Sequence, residues 1–281
     1  METTKLLVEA LEYVQRFNGQ LFVIKLGGEV MGEKAILDSI ARDLILLNLV
    51  GIKTVVLHGG GPEISEMMEK LGKKPKFIRG LRVTDEETMD IVKMVLVGKV
   101  NTSFVASINR HGGQAVGIAG KSGNLLIAEK KNEDLGFVGD ISKINPHVLH
   151  VLVDKGYIPV VSPIAADKKG NSININADTA AGELAVALKA SKIIILTNVP
   201  GVLDKDKKLI KRLTVPDIKN LEKDGTIAGG MLPKVEACVI ALKGGVERAH
   251  IVQGGKHALL REILTREGTG TMITPKKVVG E

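Results

Sequence analysis

Near-continuous apolar runs alternate along the chain with segments in which apolar residues recur every three or four positions. The runs QLFVIKL, KTVVLH, QAVGIA, YIPVVSPI, KIIILT and RAHIVQ are rich in Val, Ile and Leu, which is typical of strands buried on both faces. Such strands, alternating with amphipathic helices, predict an α/β fold in which helices cover both faces of a mainly parallel sheet.

Three segments add detail to this alternation. Residues 125–129 and the run GFVGDISKINPHV have the pattern of short antiparallel strands, which commonly cover a site at one edge of a parallel sheet. Residues 3–19 predict an amphipathic helix with Ala10, Val14 and Phe17 on its apolar face. This helix is expected either to pack on the core or to reach another subunit.

Local signals also mark helix ends. Thr84 followed by Glu87 predicts a capping box, and Asn145 before Pro146 predicts a cap followed by a first-turn proline. Gly112 predicts a helix stop.

Length and composition limit the class of protein. The chain has 281 residues, 44% of them hydrophobic and 25% charged, and no linker composition that would separate independent domains. We therefore expect one domain with two lobes, comprising an N-terminal helix (1–18), an N-terminal lobe (19–190) and a C-terminal lobe (191–281). No apolar run reaches the about 18 residues of a membrane span, and the acidic start is unlike a signal peptide, which predicts a cytoplasmic protein without membrane contact.

Cysteine and charge narrow the candidate partners. The single cysteine, Cys238, excludes an internal disulfide and disfavours a thiolate metal cluster. The formal net charge of +7 favours anionic ligands. Nucleic acid is disfavoured, because the lysines are scattered and only seven aromatic residues could stack on bases.

Two predicted strands end in glycine, VIKLGG and VVLHGGGPEI. Ligands of open α/β sheets bind beyond the carboxyl ends of the strands, where free N–H groups at helix starts can hold phosphate. Neither a G-x-G-x-x-G fingerprint with its acidic partner nor G-x-x-x-x-G-K-[ST] occurs. Lys25, at the buried end of its strand, therefore indicates a phosphoryl group rather than a dinucleotide.

Further charged residues fit an anion site. Lys234 in GGMLPK is placed at a helix start, where a cation is unfavourable unless an anion binds there. Asp178 in ININAD could hold both lysines in position, and Arg82 in GLRVT suits a carboxylate. Each also has a simpler interpretation, as a solvated lysine, a charge at a helix start or a surface arginine.

No base–nucleophile pair and no metal-binding histidine spacing accompany these residues. His58 precedes the glycines, and its backbone position is expected to matter more than its imidazole. Phosphoryl transfer to a carboxylate fits this inventory, because an ionised acceptor needs no base and the transition state needs charge neutralisation. The sequence thus predicts an ATP-dependent kinase acting on a small acid, with Mg²⁺ carried by the nucleotide and no metal site in the protein.

The motifs VIKLGGEVM, VVLHGGGPEI, GLRVTDEETMDIVKMVLVGKVN, ININAD, LTNVPGVL, GGMLPK and HALLREILTREGTGTMI together resemble the amino acid kinase family and, within it, the N-acetyl-L-glutamate kinase branch, over essentially the whole chain. The resemblance implies a three-layer αβα sandwich around a mainly parallel eight-stranded sheet, the carbamate kinase-like fold. It also implies an N-terminal lobe that binds the acyl amino acid and a C-terminal lobe that binds ATP.

The resemblance implies roles for named residues. Catalysis would fall to Lys25, Lys234 and Asp178. Residues that would bind the acyl amino acid are Gly60, Gly61, Arg82, Asn174 and Asn176. Residues that would bind the nucleotide are Gly27, Gly28, Gly59, Thr197, Asn198, Gly201 and Gly230. Asn198 and Gln253 depart from the acidic residues common in the family, which affects the expected nucleotide contacts.

Both ends of the chain resemble the arginine-inhibited members of this branch. Residues that would form an arginine site are Tyr13, Glu262, Gly268 and Gly270. The N-terminal helix resembles a segment that links homodimers into a hexamer, a trimer of dimers. The implied pathway position is the second step of arginine biosynthesis.

Two other functions stay open at this point. One is a sister kinase that acts on a carrier-protein-linked aminoadipate in lysine biosynthesis. The other is a non-catalytic arginine sensor, against which the joint presence of Lys25, Asp178 and Lys234 argues.

Overall fold

A computed structural model describes residues 2–265 and 268–276 of the chain, with only the backbone for residues 2–7. The strands are β1 (Leu21–Leu26), β2 (Lys53–His58), β3 (Phe77–Ile78), β4 (Leu81–Arg82), β5 (Ala115–Ala119), β6 (Leu126–Lys130), β7 (Gly139–Ile144), β8 (Ile158–Ser162), β9 (Ile164–Ala166), β10 (Ser172–Asn174), β11 (Lys192–Thr197), β12 (Arg212–Thr214), β13 (Arg248–Gln253) and β14 (Thr271–Thr274).

The α-helices are α1 (Glu2–Phe17), α2 (Gly28–Met31), α3 (Lys34–Leu49), α4 (Gly61–Lys70), α5 (Glu86–Lys93), α6 (Thr102–Arg110), α7 (His147–Asp154), α8 (Ala177–Ala187), α9 (Val215–Lys223), α10 (Leu232–Lys243) and α11 (Ala258–Ile263). A π-helical segment, Met94–Asn101, joins α5 to α6.

The main sheet has eight strands in the order β12-β14-β13-β11-β1-β2-β8-β5. The six strands from β13 to β5 in this order are parallel to one another, whereas β14 pairs antiparallel with β13 and parallel with the edge strand β12. The predicted mainly parallel eight-stranded sheet is confirmed. β1 lies near the centre, so Lys25 pairs with Ile195 of β11 on one side and Leu57 of β2 on the other.

Helices cover both faces of this sheet. Successive residues of β1 face opposite sides, so that Val23 joins one buried cluster while Phe22 and Ile24 join the other. The first cluster includes residues of α7 to α10, and the second includes residues of α2 to α6 and α11. Fully burying one large apolar side chain contributes about 1.5–3 kcal/mol, so these two clusters hold the three layers together.

Smaller sheets flank the main one. β10, β9, β6 and β7 form a four-stranded sheet in which β6 and β7 are antiparallel, which confirms the predicted short strands. β3 and β4 form a two-stranded hairpin. Its turn residues Arg79 and Gly80 have φ of 48° and 79°, the left-handed pair of a type I′ turn.

Two predicted helix starts differ from the structure. Asp85, not Thr84, caps α5, because its Oδ1 accepts a hydrogen bond from the Thr88 N–H at 2.8 Å. Thr84 Oγ1 instead donates to the Arg82 carbonyl. α7 begins one residue later than predicted, with Pro146 at its cap.

A continuous helical run from Glu86 to Arg110 is long and apolar enough to span a membrane by length and composition. No such run was expected from the sequence, because charged residues interrupt the apolar ones. Val92, Leu96 and Phe104 of this run are buried against the sheet, which is how a core helix packs. The predicted division into lobes near residue 190 falls between α8 and β11 and stays a prediction.

Candidate active site

A cleft of about 690 Å³ lies at the carboxyl ends of β1, β2 and β11. Sequence-predicted site residues that line it are Lys25, Gly27, Gly28, Gly59, Gly60, Gly61, Arg82, Asn174, Asn176, Asp178, Thr197, Asn198, Gly230 and Lys234. These residues come from both halves of the chain. The parallel strands bring them together because their carboxyl ends meet at one edge of the sheet.

Lys25 and Asp178 form a buried ion pair at the centre of this cleft. Lys25, on the fifth residue of β1, is 4% exposed and lies with its Nζ 2.7 Å from Asp178 Oδ1. Asp178 stands in the first turn of α8, where the side chain of Asn176 caps the helix by accepting from the Asp178 and Thr179 N–H groups. The pairing offsets the free-energy cost of burying both charges.

Lys234 completes a group of three charges. It lies in the first turn of α10, with its Nζ 3.5 Å from Asp178 Oδ2 and 3.2 Å from the Gly230 carbonyl oxygen. One carboxylate thus faces two ammonium groups, and the group carries a net positive charge. Such a group attracts an anion into the cleft.

The separation of α8 and α10 sets the geometry of this group. A Cβ on Gly182 would lie 2.6 Å from the Ala237 carbonyl oxygen, so only glycine allows the helices to approach this closely. Gly182 is one turn beyond Asp178, and Ala237 is one turn beyond Lys234. The two helix starts are therefore held at a fixed spacing.

Burial changes the proton affinity of Lys25. Desolvation lowers the pKa of its ammonium below that of an ordinary lysine, and the charge of Lys234 lowers it further. The Asp178 carboxylate opposes both effects and raises this pKa. Asp178 therefore has an electrostatic role as well as a positional one.

The glycines of the two strand ends pack backbone against backbone. A Cβ on Gly28 would lie 2.8 Å from Pro62 Cδ and 3.1 Å from the Gly61 nitrogen, and a Cβ on Gly59 would lie 3.1 Å from the Gly28 nitrogen. These glycines were expected to allow ligand approach, but contact between the loops is an equal reason. Gly28 and Gly61 begin helices, so their N–H groups have no intrahelical acceptor where they line the cleft.

His58 is fully buried directly before the second glycine loop. Its Nδ1 is 2.8 Å from the Gly59 carbonyl oxygen, and its Nε2 is 3.1 Å from Asn101 Nδ2. Burial lowers the pKa of this imidazole to about 4, so it is neutral near pH 7. The imidazole therefore makes contacts of its own with the loop, and the expectation that the backbone position of His58 matters more than its imidazole stays a prediction.

Arg82 marks one end of the cleft. Its guanidinium donates to the Gly61 carbonyl oxygen at 2.9 Å and to Ser65 Oγ at 2.8 Å, and it lies 4.8 Å from the centre of the Phe77 ring. Within the described part of the chain it forms no ion pair with an acidic side chain. A largely buried guanidinium of this kind is ready to bind a carboxylate.

Asn174 Nδ2 donates to Thr84 Oγ1 at 3.2 Å. Sequence reasoning missed the apolar surface beside it, which is formed by Phe77, Leu81, Val138, Pro163 and Ile175. Phe77 and Leu81 lie on the hairpin of β3 and β4. The sequence signal for that hairpin was the alternation of apolar and polar residues in FIRGLR around an Arg-Gly turn.

Thr197 ends β11 and Asn198 follows it, on the other side of β1 from β2. They line the cleft together with Val199 and Met231, across Lys25 from Arg82. Gln253 Nε2 donates to the Asn198 carbonyl oxygen at 3.2 Å, so the two residues that depart from the family pattern contact each other.

Gly201, predicted to bind nucleotide, does not line this cleft. A Cβ there would lie 2.5 Å from Thr271 Oγ1, and its φ of 151° lies in the region that favours glycine. Its glycine is explained by packing against β14.

Residues 2–265 and 268–276 contain no group of three or more His, Cys, Asp or Glu side chains that could hold a metal ion. Both oxygens of Asp178 face lysines.

A second polar cluster lies around Glu262, away from the cleft. Its Oε1 is 2.7 Å from His250 Nδ1, and its Oε2 accepts from the Thr269 N–H at 2.6 Å and the Gly270 N–H at 3.2 Å. Burial has the largest single effect on Glu262 and raises the pKa of its carboxyl, but the bond and charge of His250 and the backbone bonds from Thr269 and Gly270 together outweigh it and leave this pKa below its usual value. A Cβ on Gly268 would lie 3.0 Å from the same carboxylate.

Lys192 lies near this cluster, with its Nζ 3.9 Å from the centre of the Phe17 ring. Burial lowers the pKa of Lys192 to about 8, with further lowering by nearby arginines. Tyr13 packs against Phe17 with the rings tilted by 35° and their centres 6.2 Å apart. The structure thus brings Glu262, Gly268 and Gly270 together, and among the described residues Tyr13 is linked to them through Phe17 and Lys192. Sequence reasoning missed Lys192 and His250. The available signal was that each is a basic residue within a predicted buried strand, KIIILT or RAHIVQ.

Comparison with known proteins gives consistent matches. The amino acid kinase family profile matches residues 20–253. Acetylglutamate kinase from Archaeoglobus fulgidus is 51% identical over 290 residues, which covers 98% of this chain and 100% of that protein.

Solved structures agree with the fold. N-acetylglutamate synthase from Neisseria gonorrhoeae, complexed with coenzyme A and N-acetyl-glutamate, superposes with a TM-score of 0.88 at 28% identity, covering 98% of this chain and 64% of that chain. The same synthase complexed with coenzyme A and L-arginine superposes with a TM-score of 0.85 at 26% identity, and the match covers 97% of this chain and 65% of that chain. Carbamate kinase from Giardia lamblia bound to AMP-PNP superposes with a TM-score of 0.69 at 20% identity, and the match covers 92% of this chain and 99% of that chain. At this identity the match supports the fold alone.

Proposed function

The chain belongs to the amino acid kinase family and, within it, to the acetylglutamate kinases, and from this premise we propose that it transfers the γ-phosphoryl group of ATP to the side-chain carboxylate of N-acetyl-L-glutamate. The products are ADP and N-acetyl-L-glutamyl 5-phosphate. The observation that carries the proposal is the buried group of Lys25, Asp178 and Lys234 between the two ends of one cleft.

The chemistry follows from these charges. A carboxylate oxygen of the acceptor attacks the γ-phosphorus while the bond from phosphorus to the β,γ-bridging oxygen breaks. Negative charge spreads over the transferring group, and Lys25 and Lys234 neutralise it. The acceptor is already ionised near pH 7, so the reaction needs no general base.

The two ends of the cleft suit the two substrates. Arg82 and Asn174, beside the apolar surface of Phe77 and Val138, fit an α-carboxylate and an acetyl group. Thr197, Asn198 and Gly230 border the opposite end, which we assign to ATP. Mg²⁺ arrives with the nucleotide and supplies additional charge neutralisation at the phosphates.

Regulation by arginine is part of this proposal. The cluster around Glu262 and the L-arginine in the complex of the gonococcal synthase support an arginine site that includes Tyr13, Gly268 and Gly270. Val8 and Leu11 of α1 are 63% and 51% exposed, which supports α1 as the link between homodimers in a hexamer. We place the enzyme in the cytoplasm, at the second step of arginine biosynthesis.

A truncation tests this regulatory part. We expect the full chain to sediment as a hexamer and to lose activity on addition of arginine. Deleting residues 1–16 should give a dimer that is active and insensitive. A full-length dimer without inhibition would contradict the regulatory proposal and leave the kinase reaction standing.

Substrate discrimination tests the kinase proposal itself. ADP release with Mg²⁺-ATP is compared for N-acetyl-L-glutamate, L-glutamate, L-aspartate and a carrier-protein-linked aminoadipate. We expect kcat/KM for N-acetyl-L-glutamate to be about 100-fold or more above the others, because an unacetylated amine would place an unpaired charge against the apolar surface. Preference for the carrier-linked substrate would favour the sister kinase of lysine biosynthesis, and an absence of turnover would favour an arginine sensor.

A further inference from the structure

Asn101 and His58 connect the second glycine loop to the centre of the sheet. Asn101 is the last residue of the π-helical segment and is 3% exposed. Its Nδ2 donates to the Val160 carbonyl oxygen of β8 at 2.8 Å and lies 3.1 Å from His58 Nε2. His58 Nδ1 in turn lies 2.8 Å from the Gly59 carbonyl oxygen.

The directions of these hydrogen bonds are fixed by chemistry. The Val160 carbonyl can only accept, so the Asn101 atom that faces it is the amide nitrogen. The same nitrogen has a second hydrogen, which points at His58 Nε2, so Nε2 must accept. A neutral imidazole carries one N–H, which leaves Nδ1 as the donor to the Gly59 carbonyl.

This bond determines how the next peptide is oriented. The described chain contains no cis peptide bond, so the Gly59 C=O and the Gly60 N–H point in opposite directions. Holding the carbonyl on the imidazole turns the Gly60 N–H to the other side, where Gly60 lines the cleft beside Gly28. Flanking glycines would otherwise let this peptide rotate at little cost.

The surroundings preserve the arrangement. The space beside Asn101 Oδ1 exists because residue 117 is glycine, and a Cβ there would overlap this oxygen. Burial holds the pKa of His58 at about 4, so the neutral imidazole persists at working pH. Neither His58 nor Asn101 lines the cleft, so both act on it through the glycine loop.

We propose that Asn101 and His58 are positioning residues that lock the Gly59–Gly60 peptide with its N–H directed at the anionic group bound in the cleft. The identity of that anion, a carboxylate or a transferring phosphoryl group, rests on the proposed function. The lock itself rests only on the hydrogen bonds described above.

The first test reads the tautomer of His58 in the folded protein. The full chain is labelled with ¹⁵N-histidine, and the two-bond ¹H–¹⁵N spectrum is recorded at pH 7, with His58 assigned among the six histidines through a His58→Gln variant. We expect a single neutral form protonated at Nδ1, the less common tautomer of free histidine. A His58 protonated at Nε2 or at both nitrogens would overturn the proposal.

The second test compares variants along one helical run. Asn101→Leu removes the lock, and Gly117→Ala displaces the Asn101 amide without changing either partner. The control is Asn109→Leu, a variant on the same helical run. It removes the hydrogen bonds between the Asn109 side chain and the Ala115 backbone and leaves His58 untouched. We expect both test variants to mix the His58 tautomers and to lower kcat/KM by about tenfold relative to the control, because a misplaced donor stabilises the transition state less.

The outcomes separate this inference from the proposed kinase function. Equal kcat/KM in Asn101→Leu and Asn109→Leu, compared at temperatures where both are folded, would overturn the positioning role. A wild-type protein without kinase activity would refute the proposed function, while the tautomer spectrum of His58 would still decide whether the lock exists.

Discussion

At the scale of single residues, Asp178 is the group on which the site depends most, because it is the shared anion of two lysines. Without it, Lys25 would be a buried cation close to a second cation. Removing one partner of a buried pair costs about 3–5 kcal/mol of stability, whereas removing both charges costs less. Stability and catalysis can therefore be separated at this position.

We expect Asp178→Asn to lower kcat by about 100-fold or more, since both ammonium groups lose their fixed positions. Its free energy of unfolding should fall by about 3 kcal/mol, and a Lys25→Met/Asp178→Asn double variant should regain most of it without regaining activity. Denaturant unfolding and steady-state kinetics measure the two effects. Asp154→Asn, which breaks only an exposed pair with Lys53, is the matched control and should change neither.

The lowered pKa of Lys25 gives a pH prediction with a definite sign. The ammonium is the active form, so kcat/KM should fall as pH rises through a pKa below that of an ordinary lysine. In Lys25→Arg the guanidinium stays charged, so the residual activity should lack this alkaline loss. The measurement is kcat/KM as a function of pH for the wild type and for Lys25→Arg. The same fall at high pH in both proteins would assign the titration to another group.

Sequence patterns predicted the charged residues of the cleft but not all of its surface. Lys25 and Lys234 stood out because a cation at a buried strand end or at a helix start is costly without an anion, and Asp178 stood out because a carboxylate there could hold both lysines. Phe77 and Val138 gave no such signal, since apolar residues are equally common in cores. The imidazole contacts of His58 gave no signal either, because one of its partners, Asn101, is 43 positions away in sequence.

At the scale of elements, the close packing of α8 on α10 sets the distance between Asp178 and Lys234. We expect Gly182→Ala to push these helices apart, to cost about 1–3 kcal/mol of stability through overpacking, and to reduce kcat by about tenfold because the lysine is misplaced. The control is Gly98→Ala, whose Cβ would meet nothing within 4 Å. It should be slightly more stable and fully active.

Thermal unfolding and kcat, measured on both glycine variants, check this prediction. Unchanged kcat in a Gly182→Ala protein of lowered stability would show that the helix spacing does not limit the reaction.

Strands of five or six residues were predicted correctly from their apolar runs, because burial on both faces leaves a continuous pattern. The hairpin of β3 and β4 was missed, since strands of two residues are too short for the alternation in FIRGLR to stand out. The cap of α5 was misplaced by one residue because Thr84 and Asp85 are both good caps, and the hydroxyl of Thr84 is instead bonded to the Arg82 carbonyl and to the Asn174 amide.

At the scale of the whole molecule, the net charge affects how fast substrates reach the cleft. The net charge of +7 and the excess of cations in the cleft should speed the encounter with anionic substrates. We expect kcat/KM for ATP to fall severalfold as the screening length shrinks from about 20 Å to about 7 Å with added salt, while kcat changes little. Sucrose of equal osmolarity is the control, and a kcat/KM that ignores salt would contradict electrostatic steering.

Strand order could not be derived from periodicity. Apolar runs show which segments are strands, but not that β1 lies between β11 and β2, since that order depends on crossovers between distant segments. Resemblance to a family supplied the eight-stranded arrangement that the pattern alone left open.

The most direct test of the central claim is to trap the acyl phosphate. Purified protein is incubated with Mg²⁺-ATP, N-acetyl-L-glutamate and hydroxylamine, and ADP and the hydroxamate are quantified together. Transfer to a carboxylate, with charge neutralised by Lys25, should give one hydroxamate per ADP in the wild type and almost none in Lys25→Ala. ADP without hydroxamate, or equal hydroxamate from Lys25→Ala, would contradict it.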